Sequence, residues 1–480
     1  MIKKSVFIAG GGPSGLAAAL LFDQLGWQDI VVAERRTSPK DFEKNKSFNY
    51  QIDGRGQKLL ERVSVADALP DVGVANTAFT ATLVNPDGTS KTSQIPIIDP
   101  DRPTCYWTTR RNLLTLLAET ILERGSDRIE LLYGHSVEEL IDDPKTNQIT
   151  VSLTGPSGDK RSFAPDLILA CDGLASTMRS AAEARPEVPA SHFTMTECRS
   201  PSALMRYRVL NFPPEFSAAD GQVAVNDKAL AYVFPSAFTD FKRMGSLFAF
   251  PVAGQNQPRS LNIIREKDHH IWTIEDAESL LEFLEQSYPQ LDIRSLVPLS
   301  EAEDFVSLRP GQFPEPQYAA NISVDLGQGE KQTKLLLIGD AAHAFPPDLG
   351  LGVNSALEDL ELLAQEIETS DNWREAADTY AVKRLPESKA LVRLVQTVFP
   401  EQYSTRKWAT RKWTLKFVVQ RVLNMIVPFF VDKHAFLLTQ NPDLPYTEIE
   451  RLKLRSERNM RFIGWGTLAA LAAGVLYALL

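Results

Sequence analysis

Cysteine is scarce: Cys105, Cys171 and Cys198 are the only three in 480 residues, and they lie far apart. Three cannot form a disulfide framework and none is paired at the spacing of a zinc site, so the composition suits a reducing compartment. Histidine is sparse too, with six residues. The one adjacent pair, His269 and His270, follows Asp268, which makes no recognisable ligand set, and no catalytic metal is expected. Positive charge is in deficit. A formal net charge of -10 excludes a general nucleic-acid binder, which needs a basic surface to replace the counterions of a polyphosphate. Internal repeats and low-complexity tracts are missing. Met1-Ile-Lys-Lys runs straight into the apolar segment Ser5 to Ala9, which leaves no room for a signal peptide distinct from a first strand.

What is present is material for a large core: 44% hydrophobic and 23% charged residues over this length provide for two or three domains. The first 34 residues alternate as a βαβ unit, with a strand at Val6 to Ala9, a glycine turn, a helix through Leu25 stopped by Gly26, and a second strand at Ile30 to Ala33. A leucine-rich helix follows at Arg111 to Arg124, then strands near Ile129 to Leu132, Ile149 to Leu153 and Leu167 to Cys171. From about residue 190 to 325 the stretches are β-rich; at Lys334 to Gly339 a buried-strand pattern returns and leads through a Pro/Gly turn into an amphipathic helix ending near Ile367. The expected class is α/β. A discontinuous dinucleotide-binding, Rossmann-like domain comprises residues 1–75, 99–185 and 330–370, and a β-sheet domain comprises 76–98 and 186–329. C-terminal helices at 371–445, a basic linker at 446–461 and a terminal hydrophobic helix at 462–480 complete the chain.

Phe462 to Leu480 carries no charge and as a helix measures roughly 28 Å against a hydrocarbon core of about 30 Å. Arg451, Lys453, Arg455, Arg458 and Arg461 precede it, so the segment reads as a membrane tail anchor with the body facing the cytosol. The alternative is a buried C-terminal helix, because five alanines and three glycines make it only moderately apolar. Upstream, Arg406, Lys407, Arg411, Lys412, Lys416 and Arg421 interleave with Trp408, Trp413, Phe417, Val418 and Val419. That pattern suits a membrane surface, and equally an ordinary helix with a solvated basic face.

Gly10-Gly11-Gly12-Pro13-Ser14-Gly15 supplies G-x-G-x-x-G between a strand and a helix. Gly10 permits the tight turn, Gly12 the approach of a pyrophosphate, and Gly15 close helix packing, while the helix N-terminus faces the phosphates. Glu34, with Arg35 beside it, ends the second strand, where a carboxylate can accept hydrogen bonds from a ribose. NAD and FAD share this cradle, so the motif leaves the dinucleotide open. A second candidate site is Gly339-Asp340-Ala341-Ala342-His343, followed by Pro346-Pro347-Asp348-Leu349-Gly350-Leu351-Gly352-Val353-Asn354 entering a helix. Gly350 and Gly352 would let backbone approach a flat ring, the helix N-terminus would direct its positive end there, and Asp340 sits at a strand's carboxyl end. Asp172-Gly173, opening Asp172-Gly173-Leu174-Ala175-Ser176-Thr177-Met178-Arg179, and Arg110, opening the leucine-rich helix, complete the set.

In this order the four motifs resemble the aromatic-ring hydroxylase class of flavoprotein monooxygenases. The resemblance implies FAD as the dinucleotide, with Asp340 on its ribityl chain, Arg110 in contact with it, Val353 among its binding residues, and Pro347 and Asn354 near the ring; the adjacent Arg111 leaves Arg110 open by one position. It implies NADPH as a transient electron donor and O2 as cosubstrate, with oxygen delivered through a flavin C4a-hydroperoxide and no catalytic side chain required beyond the flavin. Within the class the likeness is greatest to the kynurenine 3-monooxygenases and runs over nearly the whole chain. It rests on Lys46-Ser47-Phe48-Asn49 through Gly54-Arg55-Gly56, on Arg110-Arg111-Asn112-Leu113, and on the basic-aromatic helices with their hydrophobic tail. Lys46 joins the expected cofactor residues on this ground.

One departure bears on substrate. That family holds the kynurenine carboxylate with an arginine on the strand corresponding to about Thr80 to Asn85 and a tyrosine after an Ile-Pro pair. Here no arginine lies between Arg62 and Arg102, and Ile97 follows Ile95-Pro96. Loss of both charge-assisted contacts makes the wall neutral and points to an aromatic or lipophilic small molecule, with Arg102 or Tyr106 as the remaining candidates for an anion anchor. The alternative is an FAD-dependent reductase or dehydrogenase acting on a membrane lipid, separated by its failure to incorporate oxygen; a flavin-binding scaffold without turnover is a third.

Overall fold

The computed structural model describes the chain apart from residues 1–3, 42–48, 144, 145, 147, 220, 254–256, 328–331, 401, 405, 406 and 480, and without the side chains of 407 and 464–479. Ser5–Ala9 and Asp29–Glu34 are continuously apolar because they pair in parallel, Ser5 with Asp29 through Ala9 with Ala33, inside a six-stranded sheet. Leu167–Ala170, Thr333–Leu337 and Ile129–Tyr133 extend the parallel arrangement, and Ser323–Leu326 closes one edge antiparallel to Thr333–Leu337. Strands buried on both faces need an apolar residue at every position. Phe7 faces one layer, where its ring meets Phe163 of a three-stranded antiparallel sheet at 6.0 Å. Ile8 faces the other, against the helix Pro13–Gln24 at Gly15. Pro13–Gln24, Arg110–Arg124 and Gly352–Thr369 contribute buried residues to one core with these strands.

A second core lies between a seven-stranded sheet and the helices Ala277–Ser287 and Leu299–Ser307. Thr80–Val84 and Ser90–Gln94 enter this sheet beside Ala231–Pro235, far from them in sequence. The expected domain boundaries at 186 and 329 are corrected inward. Met195–Glu197 and Gln317–Ala319 pair with each other and with His343–Ala344, next to the cofactor elements, and Ser323–Leu326 belongs to the first sheet. A third core joins Leu391, Leu394 and Val395 of the helix Trp373–Val398 to Leu438, Tyr446 and Ile449.

The expected linker 446–461 is also corrected: it is the first part of one helix, Tyr446–Leu479. Tyr446 and Ile449 are buried on one side, and the pairs Glu448–Arg451 and Lys453–Glu457 brace the other at helical spacing. Among the described residues no helix is long and apolar enough to cross a membrane. The expected anchor at 462–480 falls from residue 464 onward outside the described side chains.

Candidate active site

Parallel pairing brings Ala9, Ala33, Ala170 and Leu337 into line at one end of the sheet, so the loops that follow them converge. Gly10 takes φ +99°, and a Cβ there would meet the Cys171 carbonyl oxygen at 2.5 Å. A Cβ on Gly15 would meet the Gly10 carbonyl oxygen at 1.8 Å, so this position admits no side chain. Gly12 is different: nothing lies within 4 Å of its Cβ position. The helix that Gly12 caps has Pro13 in its first turn and no side-chain cap, so its leading N–H groups are available to an anion. Ser14 stands where this turn nears Cys171 and Gly339.

Glu34 is buried and hydrogen-bonded throughout. Its Oε1 accepts from the Arg36 backbone and Nε at 2.9 and 3.0 Å, and its Oε2 from the Gly11 backbone at 2.8 Å and Arg36 Nη2 at 3.1 Å. Burial pushes the carboxyl up, but the Arg36 guanidinium and the backbone donors outweigh it and hold the group below its ordinary value. Four donors use the roughly four lone-pair sites of a carboxylate, so a ribose hydroxyl would have to displace one of them. The residue beside Glu34 that builds the site is Arg36, whereas the expected Arg35 is exposed; two residues further along the turn the side chain folds back onto the carboxylate.

The second site stands across the cleft. Asp340 is open to solvent yet ringed by protein, as befits a carboxylate on a cleft wall; burial pushes it up, with His343 opposing. The Tyr50 phenol is raised by burial and feels Arg110, Asp340 and Arg36 together, which brings four segments of the chain around one space. Arg110 is half-buried beside Tyr50, whereas Arg111 is exposed. Gly350, at φ +67°, and Gly352 both have nothing within 4 Å of their Cβ positions. Pro347 is exposed, Val353 half-buried, and Gly352 and Val353 open the helix N-terminus. Space is thus left where a ring and a pyrophosphate would lie, and is closed at Gly10, Gly15 and Gly339, where only protein meets protein. The residues fit a dinucleotide with a flat ring. Lys46 lies outside the described residues.

Asp172 and Gly173 act one step back. The Asp172 carboxylate accepts from the Met178 backbone at 3.0 Å, and Gly173 takes φ +81° with open space beside it. Arg179 of the same motif donates to the Ala341 carbonyl at 2.7 Å, fixing the turn that carries Asp340. The side chain of Asn354, expected near the ring, is engaged inside the protein, which leaves its backbone for a ring contact. Oδ1 accepts from the Asp53 backbone at 3.0 Å, and Nδ2 donates to the carbonyls of Gln51 at 2.7 Å and Gly350 at 3.1 Å, so the residue ties the strand Asn49–Ile52 to the Gly350 turn.

Other functional residues carried no local signal. Asp359 is 1% exposed and accepts from the Gly339 backbone at 2.7 Å and from Arg384 Nε at 2.7 Å, with His343 Nε2 at 2.9 Å. Burial raises this carboxyl, but His343 and Arg384 outweigh it and hold it below its ordinary range. Glu358 continues the network, 3.0 Å from Arg384 and 2.5 Å from Arg55, which stacks on the Tyr446 ring at 4.3 Å and donates to Asn441 and Leu444. These partners lie up to 389 residues apart; no sequence spacing could join them.

On the second sheet, Leu247 and Ala249 face the helices of that domain, so Phe248 and Phe250 face the other way. Phe79, Phe248, Phe250 and Trp107 form one aromatic run, with centroid distances of 6.0, 4.6 and 5.2 Å. Arg102, a candidate anion anchor, donates to the Asn76 carbonyl and side chain and to Cys105 Sγ, while its buried Nε has no partner among the described residues. Tyr106, the other candidate, is half-buried on the strand Cys105–Thr109 and packs beside the first core. Asp348 is 3% exposed, and burial pushes its carboxyl up to about 7, with the Ser202 hydroxyl opposing. Of two surface hollows, one touches the Asp172 motif at Thr177 and runs to Pro186, and the other lies beside His270 to Gln286.

A parallel sheet with a glycine cradle at the end of a central strand and a second open glycine turn at Gly350 and Gly352 fits a dinucleotide-binding flavoprotein. Residues 3–206 and 293–395 match the FAD binding domain family, and the chain belongs to that family. It is similar to kynurenine 3-monooxygenase of Sus scrofa, 23% identical over 435 residues covering 89% of this chain and 82% of the relative. The Caenorhabditis elegans enzyme of that name is 24% identical over 475 residues, 95% and 93% of the two chains. Of solved structures, the tetrameric form of 2-methyl-3-hydroxypyridine-5-carboxylic acid oxygenase superposes with a TM-score of 0.59 at 17% identity, covering 94% of this chain and 98% of that one. A probable FAD-dependent monooxygenase from Pseudomonas aeruginosa, pqsL, gives 0.54 at 19%, covering 86% and 99%. The chain is an oxidoreductase of the FAD-dependent monooxygenase class, with a mixed α/β fold and FAD as its cofactor.

Proposed function

We propose that the protein uses NADPH and O2 to hydroxylate an aromatic or lipophilic small molecule that carries no carboxylate. The observations that carry this reading are the open space at Gly12, Gly350 and Gly352 and, on the face of the second sheet turned from its own helices, the aromatic run of Phe248, Phe250 and Trp107. FAD, when bound, takes electrons from the nicotinamide and supplies the oxygenating chemistry. The chain's own part is positional. Helix N-termini at Pro13 and Gly352 favour negative charge on the pyrophosphate and beside the ring. Asp359 and Arg179 hold the Gly339 to Ala341 turn from below, and Asn354 holds the Gly350 turn. The aromatic run excludes water from the reacting face and offers apolar area to a ring. With no arginine in the wall at Thr80 to Asn85 and Arg102 engaged elsewhere, an anionic substrate finds no partner there.

The reading extends to a membrane surface. On the helix Lys407–Ile426 and the turn after it, Trp408, Leu415, Val418, Met425, Ile426 and Phe429 are exposed, Phe429 to 97%. Apolar side chains in solvent beside Arg411 and Lys412 suit partition into a headgroup layer, with Phe462 to Leu480 as the proposed anchor behind them. The reaction is tested by anaerobic bleaching of the flavin absorbance with NADPH, followed by admission of labelled O2. Reduction by NADPH and label in an aromatic product support the reading; reduction with no label incorporated into any offered aromatic would instead favour a reductase.

A further inference from the structure

Asp348 lies in the short turn Pro347–Leu349, directly before the Gly350 opening. Both of its carboxyl oxygens are buried, and among the described residues only the Ser202 hydroxyl bears on them as a donor, without the geometry of a hydrogen bond. Among the described residues no guanidinium or ammonium offsets its charge. The polar groups beside it are the Tyr403 phenol and the Ser202 hydroxyl, which donates to the Pro400 carbonyl at 3.4 Å. Tyr403 meets the Phe313 ring at 5.9 Å, and Phe313 stacks on Tyr207 at 4.9 Å. Tyr207 shares a sheet face with Asn262, whose buried Oδ1 also accepts from no group. Asp348 therefore stands where the ring-side turn, the second sheet and the C-terminal region meet, at the end of an aromatic wall.

An unpaired polar group in a protein interior costs stability, and an apolar side chain would make the same turn more cheaply. Its unmet acceptors are accounted for when a ligand brings the donor. The polar neighbours of Asp348, Ser202 in the turn that leads into the second sheet and Tyr403 of the C-terminal region, are not those of Gly10 to Gly15, Glu34 or Asp340, so that ligand is the substrate rather than the dinucleotide. We propose that Asp348 is the polar anchor of the substrate site and selects an aromatic molecule carrying an amine. This rests on the monooxygenase reading above and deepens it: where a cationic grip on a carboxylate is lacking, an anionic grip on a donor is present. Buried in apolar surroundings, a carboxylate favours a protonated amine over a neutral donor and repels a carboxylate.

The full chain loaded with FAD, and its Asp348→Asn form, are titrated at pH 8 with benzylamine, benzyl alcohol and benzoate, with flavin absorbance reporting binding. These probes share a ring and differ in the charge of one substituent. Wild type is expected to bind benzylamine roughly tenfold or more tighter than benzyl alcohol and benzoate weakest, whereas the Asn form brings the three within about threefold. A wild type that binds benzoate as well as benzylamine, or that shows no response to any probe with flavin in place, overturns the proposal. So does an Asn form that keeps the wild-type order. Should the Asn form lose its flavin, the wild-type order alone decides. NADPH bleaching of the same samples separates the two readings: reduction without charge discrimination leaves the monooxygenase and removes the anchor, and discrimination without reduction does the reverse.

Discussion

Gly12 and Gly15 stand in one turn under opposite constraints. Gly15 is closed by the Gly10 carbonyl, and Gly12, at φ -77°, opens onto space that only a ligand fills. Gly15→Ala is expected to lower stability by about 3 kcal/mol or more through overpacking against backbone. Gly12→Ala should leave the melting temperature of the flavin-free protein within about 2 °C while lowering flavin content; equal melting losses in both variants would remove the distinction. Asp348 makes a second residue-scale prediction, in stability alone. Its carboxyl is raised from 3.8 to about 7, so between these values the folded chain holds a proton that the unfolded chain has released. Stability therefore falls as pH rises from about 4 to about 7 and is level above. At about 1.4 kcal/mol per pH unit, Asp348→Asn should stabilise the ligand-free protein by up to about 4 kcal/mol at pH 8 and by little at pH 4. Denaturant melts at the two pH values check this, and a variant less stable than wild type at pH 8 contradicts it. The glycines were legible from spacing because a backbone that must touch a phosphate leaves one residue type. Arg36 was not, since the choice between Arg35 and Arg36 depends on how the chain turns after the strand.

Each opening in the site is held by an element that arrives from elsewhere in the chain. The helix Gly352–Thr369 presents its N-terminus to the cleft and, from its interior, Asp359 to the Gly339 backbone and to Arg384 of the helix Trp373–Val398. Removing one member of a buried ion pair leaves the other uncompensated, and Asp359→Ala should cost about 3 to 5 kcal/mol. Because Asp359 is held below its ordinary value, its contribution is present above about pH 4 and is lost as pH falls through its lower, folded value. Asp359→Ala should therefore flatten the acid limb of the stability curve; an unchanged limb would assign it to other carboxylates. Asn354→Ala releases the strand Asn49–Ile52 from the Gly350 turn and should cost about 2 kcal/mol, with weaker flavin retention at equal folding. The alternation of apolar strand, glycine turn and helix made the first sheet readable, since strands buried on both faces show it at every residue. The assignment of 76–98 to the second sheet agrees with the pairing of Thr80–Val84 there, whereas the edge strand Ser323–Leu326 and the Asp359 network are long-range pairings, which leave no local periodicity to read. The family match, too, passes over residues 207–292, which supply most of the second sheet, so that sheet is the element the family model describes least.

At the scale of the whole molecule, the net charge of -10 and the exposed apolar helix face pull in different directions. A negatively charged body is repelled by an anionic bilayer unless basic residues are gathered at one place. They are gathered: Arg411, Lys412 and Arg421 project from the helix whose neighbouring side chains Leu415, Val418, Met425 and Ile426 are in solvent, and Arg451 and Arg458 follow on the helix Tyr446–Leu479. Trp413 and Phe417 of the same helix pack inward on Phe399 and His434, so the exposed set is not the helix's only apolar face, and its exposure asks for a cover. Binding of apolar area plus local cationic charge to a headgroup layer should persist when Phe462 to Leu480 is deleted, weaken with salt, and require acidic lipid. The truncated protein is therefore expected to float with phosphatidylserine vesicles at low salt and to remain below neutral ones. Met425→Glu with Phe429→Glu should abolish that flotation without changing the melting temperature, because both side chains are exposed, to 77% and 97%. If the truncated protein ignores both vesicle types, the exposed face belongs to another partner, and any membrane attachment rests on the terminal segment alone. If it floats, a lipophilic amine dissolved in the same layer becomes the candidate ligand for Asp348.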